Sequence, residues 1–186
     1  MVVIIVIVVV IALLALYYVA KRNSIIGSRN RVDESWSGID VQLKRRHDLV
    51  PNLVESVKGY AAHESQTFEK VTAARADAMS AQGVGDSAKA EEKLTGALTD
   101  LRAVAENYPQ LKATENFQQL SRNLSQLEDE IQAARRIYNS NVQSFNTSIQ
   151  QFPGSIIADR SGFTAHEYFQ IEDAGDRQPV AVSFDK

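Results

Sequence analysis

The first twenty residues, Met1 to Ala20, consist only of Met, Val, Ile, Ala, Leu and Tyr, with no charge, glycine or proline. At about 1.5 Å per residue such a run makes a helix about 30 Å long, the thickness of a bilayer's hydrocarbon core. The rest of the 186-residue chain is polar and long enough for one domain. No basic residue precedes the run, and it ends in Tyr17-Tyr18-Val19-Ala20-Lys21-Arg22 rather than at a small-residue cleavage site. It therefore reads as a retained anchor, not a signal peptide, with Tyr17 and Tyr18 at the interfacial level. The chain has no Cys, which excludes a lipid-modified cysteine.

Lys21, Arg22, Arg29 and Arg31 follow the apolar run with no acidic residue among them. The positive-inside rule places that side in the cytoplasm and the N-terminus outside. The expected location is a bacterial inner membrane, crossed once. The same four residues are candidate contacts to anionic headgroups.

Beyond a basic linker over residues 21–31, apolar positions step by threes and fours, the signature of a helix buried along one stripe. One seam runs from Val32 through Trp36, Ile39, Leu43, Arg46, Val50, Leu53 and Val57 to Ala78, and its register crosses Pro51 unbroken. That predicts a kinked continuous helix, although an interior proline can also break one. The segment Gln82–Ser87 reads as a turn, and a second seam runs from Ala90 to Tyr108. Pro109 suits a first helical position. The third seam, Phe117 to Phe152, ends at Pro153-Gly154. The fold class is all-α: an N-terminal transmembrane helix and an elongated antiparallel bundle over residues 32–152. It has three long rods, or four helices if Pro51 breaks the first. Residues 153–186 read as an irregular tail that packs on the bundle end, with a short strand possible at Val180–Phe184. Residues 155–186 carry the whole net charge of -3.

The search for chemistry is short. His63-Glu64 begins like a zinc-protease motif but lacks the second histidine one turn on. Gly83-Val84-Gly85 has neither a preceding strand nor the lysine of a phosphate-binding loop. No thiol or serine-elbow nucleophile exists, and a charge-balanced bundle is a poor binder of nucleic acid. No catalytic residue, metal ligand, cofactor or small-molecule substrate is indicated. Two charges do fall on the first seam, Arg46 and Glu64, and a buried charge needs a partner. Candidate partners are Glu106, Glu115, Glu128 and Glu130 for Arg46, and Arg122, Arg135 and Arg136 for Glu64. Asn141, on the third seam, is a candidate for fixing helix register.

The run from Trp36 to Glu64 (WSGIDVQLKRRHDLVPNLVESVKGYAAHE) closely resembles the signature of the LemA family of bacterial membrane proteins. The likeness continues at Tyr108–Ala113, Ala134–Asn139, Phe145-Asn146, Phe152-Pro153, Gly162-Phe163 and Tyr168-Phe169. The resemblance implies a helical bundle on a single span and carries no catalytic residues with it. A related domain is associated with magnetosome membranes, which points toward membrane organisation. Arg46, His63, Glu64 and Asn141 form the polar seam within these motifs. The favoured expectation is a membrane-anchored scaffold or adaptor that binds proteins, copies of itself included. The alternative is a membrane-organising or envelope-stress protein that works through direct lipid contact. An enzyme that uses Glu64, His63 and Arg46 in a cleft between helices is the third.

Overall fold

Helix α1 (Val2–Lys58) runs without interruption from the N-terminus to the far end of the molecule, about 85 Å at helical rise. It appears in a computed structural model of the chain, which describes residues 1–170. Its apolar N-terminal part is long enough to cross a membrane, and no part of that stretch is covered by the rest of the protein. The expected linker over 21–31 is itself helical and already packs, with Ile25 and Ser28 buried. No loop separates anchor and bundle, so they share one helix axis.

The chain then folds back three times. Helices α2 (Ser65–Ser80) and α3 (Gly83–Glu106) form a hairpin on the upper half of α1. The short α4 (Pro109–Lys112) turns the chain, with Pro109 at its first position. Helix α5 (Glu115–Gln150) returns antiparallel to α1, its start fixed by Thr114 Oγ1, which accepts the Phe117 N–H at 3.4 Å. Helix α6 (Gly154–Ser161) closes the lower end. The first quarter of the tail is thus helical rather than irregular. The proposed strand at 180–184 lies outside the described residues.

Pro51 does not break α1. The break comes eight residues later, at 59–64, so the bundle has four long helices and the seam through Ala78 is not one rod. Gly59 supplies a weak helix former there, and the seam slots Glu64 and Thr67 have no apolar side chain to bury. In α2 the buried stripe restarts as Phe68, Val71, Ala74 and Ala78. The turn after α2 is also shorter than expected. Gly83, with φ at +79°, already opens α3.

The proline has a use. It has no N–H to offer the His47 carbonyl four residues back, and Arg75 Nε of α2 donates to that oxygen at 2.7 Å. A helix defect in α1 thereby becomes the acceptor that ties α2 to it.

The core divides into two apolar clusters. The upper one joins α1, α2, α3 and α5 around Val50, Val57, Val71, Leu94 and Leu101. The lower one joins α1 and α5 with α6 and the chain after it, around Val32, Ile39, Tyr138, Val142 and Phe145. Helices α1 and α5 supply most of this lower half, α3 adds Ala88 and Val84 from its first turns, and residues 163–170 close it. Asn146 Nδ2 donates to the His166 carbonyl at 2.9 Å, and its Oδ1 accepts the His166 N–H at 2.9 Å. Asn139 makes the same pair of bonds with Phe169, at 3.2 and 2.9 Å. Seven residues of helix and three of extended chain both span about 10 Å, so each amide meets one backbone unit. Phe169 enters between them and packs on Trp36, with ring centroids 5.7 Å apart.

In the intact chain, Arg75→Met should lower unfolding stability by about 2 kcal/mol, the worth of a charged hydrogen bond to a buried acceptor. In a Pro51→Ala background the restored N–H satisfies the His47 carbonyl, and the same substitution should cost less than half as much. Chemical unfolding of the four detergent-solubilised forms measures both costs. Equal costs in the two backgrounds would separate the proline from the arginine.

Candidate functional site

Between the two apolar clusters lies a layer of charge. Arg46 is 2% exposed and meets carboxylates from two other helices. Its Nη1 donates to Glu128 Oε1 of α5 at 2.8 Å and to Thr95 Oγ1 of α3 at 3.1 Å. Its Nη2 pairs with the Glu91 carboxylate of α3 and lies 3.4 Å from the Glu91 carbonyl. The next residue, His47, is also buried, and its Nε2 sits 2.6 Å from the second Glu91 oxygen. Adjacent residues on one helix thus grip the two oxygens of a single buried carboxylate. The guanidinium fork matches the geometry this requires, where a lysine could offer only a point charge.

Burial pushes the His47 pKa below its ordinary value, and the neighbouring Arg46 and Arg75 charges push it further, against the opposing pull of Asp48 and Asp40. The ring is therefore neutral near pH 7 and donates its Nε2 hydrogen to Glu91. One flank of this layer opens to a cavity of about 250 Å³ lined in part by Trp36, Leu43, His47, Met79 and Glu91. Farther down, burial, helped by Glu167 and Asp33, pushes the Tyr138 hydroxyl up to about 12. It stays protonated and donates to the Glu167 carbonyl at 2.9 Å.

The sequence motifs do not all meet here. Of the candidates for Arg46, Glu128 is a partner, whereas Glu130 lies 3.9 Å from the neighbouring Arg45. Glu106 and Glu115 are exposed and form no ion pair among the described residues. His63 and Glu64 stand at the 59–64 turn, beyond the end of α1, which lies about 18 Å along the rod from Arg46. His63 is exposed, and Glu64 precedes α2, where its carbonyl accepts from Phe68 N–H at 3.4 Å. Glu64 forms no ion pair with Arg122, Arg135 or Arg136 among the described residues. The cleft imagined from Glu64, His63 and Arg46 is not assembled, because the helix break carries the first two away from the layer. Asn141 is half-buried at the seam's edge, where its amide reaches the Arg31 carbonyl of α1 at 3.3 Å. Of the basic four, Arg29 lies 3.9 Å from Asp33, Lys21 is half-exposed against α6, and Arg22 and Arg31 are exposed. Glu91, His47 and the asparagine pair 139 and 146 went unrecognised in the sequence. The available signal was an Arg-His pair on a seam position with an acid on a facing helix.

The sequence pattern of the LemA family matches residues 35–184, which hold the charge layer, the proline and both asparagines. The chain belongs to the LemA family. Protein LemA of Metamycoplasma hominis is 31% identical over 147 residues, covering 77% of this chain and 66% of that protein. Magnetosome protein MamQ 2 of Paramagnetospirillum magneticum is 28% identical over 166 residues, covering 75% and 61%. Magnetosome protein MamQ of Magnetospirillum gryphiswaldense is 26% identical over the same length. The chain thus spans about three-fifths to two-thirds of the length of these relatives. The family match begins at residue 35, beyond the apolar run of this LemA chain.

Because the folded His47 pKa lies below its unfolded value of 6.5, the unfolded chain binds the extra proton first. This group's contribution to stability is therefore fully present above about pH 6.5 and is lost as the pH falls below it. His47→Gln, which keeps a donor toward Glu91, should flatten the thermal midpoint between pH 7 and 5 relative to the wild type. A wild-type midpoint that rises relative to the Gln variant on acidification would contradict the assignment.

Proposed function

We propose that this LemA protein is a membrane-tethered adaptor whose body faces the cytoplasm and docks protein partners along the lower half of α1 and α5. The observation that carries this is a groove of about 340 Å³ between the two helices. It is lined by Arg31, Glu34, Ser35, Gly38, Ala134, Ile137 and Asn141. At 100° per residue, Asn139 and Asn146 flank the buried stripe of α5 on one side and hold the returning tail. Ala134, Ile137 and Asn141 flank it on the other. One flank of the helix pair is thus covered by the chain's own segment and the opposite flank is open.

The open flank has the chemistry of a helix seat. Its floor is Ser35, Gly38 and Ala134, residues small enough for another backbone to approach, and Ile137 stands beside them 59% exposed. Small residues with one apolar anchor and a rim of Arg31 and Glu34 suit an amphipathic partner helix. The charges support a tethered geometry as well. Both terminal nitrogens of Arg46 are engaged by Glu91, Glu128 and Thr95, which supports a role in holding the helices in register. The positive-inside bias of Lys21, Arg22, Arg29 and Arg31 supports the cytoplasmic orientation, and the family's bacterial members support an inner membrane.

A Cβ built on Gly38 meets nothing within 4 Å, so a side chain there enters the groove without disturbing the fold. Gly38→Leu should leave thermal stability equal or higher, since glycine costs a helix interior about 1 kcal/mol. A photo-crosslinking residue at position 137 should capture discrete protein adducts in native membranes, and Gly38→Leu should abolish them. Capture of nothing, or of the same adducts with Gly38→Leu, would remove the groove from the account.

A further inference from the structure

The corner between α5 and α6 contains two apolar side chains that the fold leaves uncovered. Phe152, the last seam position of the third rod, is 81% exposed, and Ile156 is 49% exposed. The seam reading places Phe152 in the core, but α5 ends at Gln150 and the chain turns before that side chain can pack. Helix α6 buries Gly154, Ile157 and Ala158 against the bundle and turns Ile156 outward.

The position of this corner along α1 decides what can cover it. A Cβ on Gly154 would run into the Ser148 carbonyl oxygen and lie 3.6 Å from Lys21 Cε, so the corner is pressed against the bundle at the level of Lys21. Lys21 is the first charge after the apolar run and follows Tyr17 and Tyr18 by one turn. Interfacial tyrosines and the first lysine mark the boundary between acyl chains and headgroups. An aromatic and a branched aliphatic side chain at that level stand where an interfacial anchor belongs.

We propose that the α5–α6 corner is a second membrane contact, with Phe152 and Ile156 inserted in the headgroup boundary of the bilayer that α1 crosses. The occupant is lipid, because the patch stands at the level of Lys21, where the exposed apolar surface of α1 ends. Lys21 and Arg22 stand at the same level, so anionic headgroups fit beside it. Two contacts, the span and the corner, would fix the tilt and rotation of the bundle, which one helix alone leaves free. Both flanks of the lower half, the tail side and the open groove, would then have set directions relative to the membrane. The inference rests on α1 spanning the bilayer, not on the groove binding a partner.

The absence of cysteine makes single-site labelling direct. Phe152→Cys, Ile156→Cys, Tyr17→Cys and Ser144→Cys can each be spin-labelled in the full chain, reconstituted in phosphatidylcholine–phosphatidylglycerol vesicles. The measurement is collision with oxygen, which enters the bilayer, against collision with a water-soluble nickel chelate. Positions 152 and 156 should resemble position 17, with an oxygen-to-nickel ratio severalfold above that of position 144, which is exposed about 12 Å higher on α5. A ratio at 152 and 156 equal to that at 144 would overturn the inference. So would protection from both reagents, which would mean that a second protein surface covers the corner. A nickel-accessible position 17 would overturn it together with the membrane reading of α1, an outcome distinct from the other two.

Discussion

A guanidinium buried to 2% exposure cannot be left alone, and the whole bundle is arranged around that requirement. Arg46 draws one carboxylate from α3 and one from α5, while Arg75 of α2 binds the backbone of the next residue. Four helices therefore meet at one level of the rod. Apolar seams built from heptad steps can slide by a turn and still bury their stripes. A fork of hydrogen bonds to Glu91, Glu128 and Thr95 cannot slide. The layer thus sets the register of two apolar clusters that would otherwise specify it weakly.

Above and below this level the molecule solves different packing problems. The upper half has four helices and buries its stripes mutually. The lower half is built mainly on α1 and α5, with α6 and the start of α3 at its ends, so two asparagines hold an extended stretch of chain where further long helices would pack. Their amides bind backbone, and Trp36 packs on both Phe169 and Tyr138. That stretch covers one flank only. The flank that stays open lies beside α1, the helix that continues into the apolar run. Helix α1 has no hinge where the linker was expected, so the lower half is coupled to the apolar run through a continuous helix.

Much of this was legible in the sequence because it rests on spacing. The apolar run, the all-α class, the second and third seams and the turn at Pro109 follow from periodicity, while charge offered four acids for Arg46, of which Glu128 is a partner. The break at Gly59 was hidden because the three-four register persists across it, and only the polar slots Glu64 and Thr67 betray it. His63 and Glu64 were misplaced for the same reason. Glu91 lies beside a small alanine-rich stripe, and an acid next to Ala90 reads as surface until its partner is located. Asn139 and Asn146 act on backbone, which leaves no compositional trace. Phe152 was assigned to the core because the seam pattern extends two residues farther than the helix.

Arg46 and Glu91 form a mutually required pair and are not merely neighbours. Unfolding free energies of the full chain carrying Arg46→Met, Glu91→Met and both substitutions test it directly. Arg46→Met should cost about 3–5 kcal/mol, because it strands a buried carboxylate. The double variant, which leaves Glu128 half-exposed and solvated, should recover most of that loss. A single-variant cost below about 1 kcal/mol, outside the range that breaking a buried pair allows, or a double-variant cost equal to the sum of the two singles, would contradict the account.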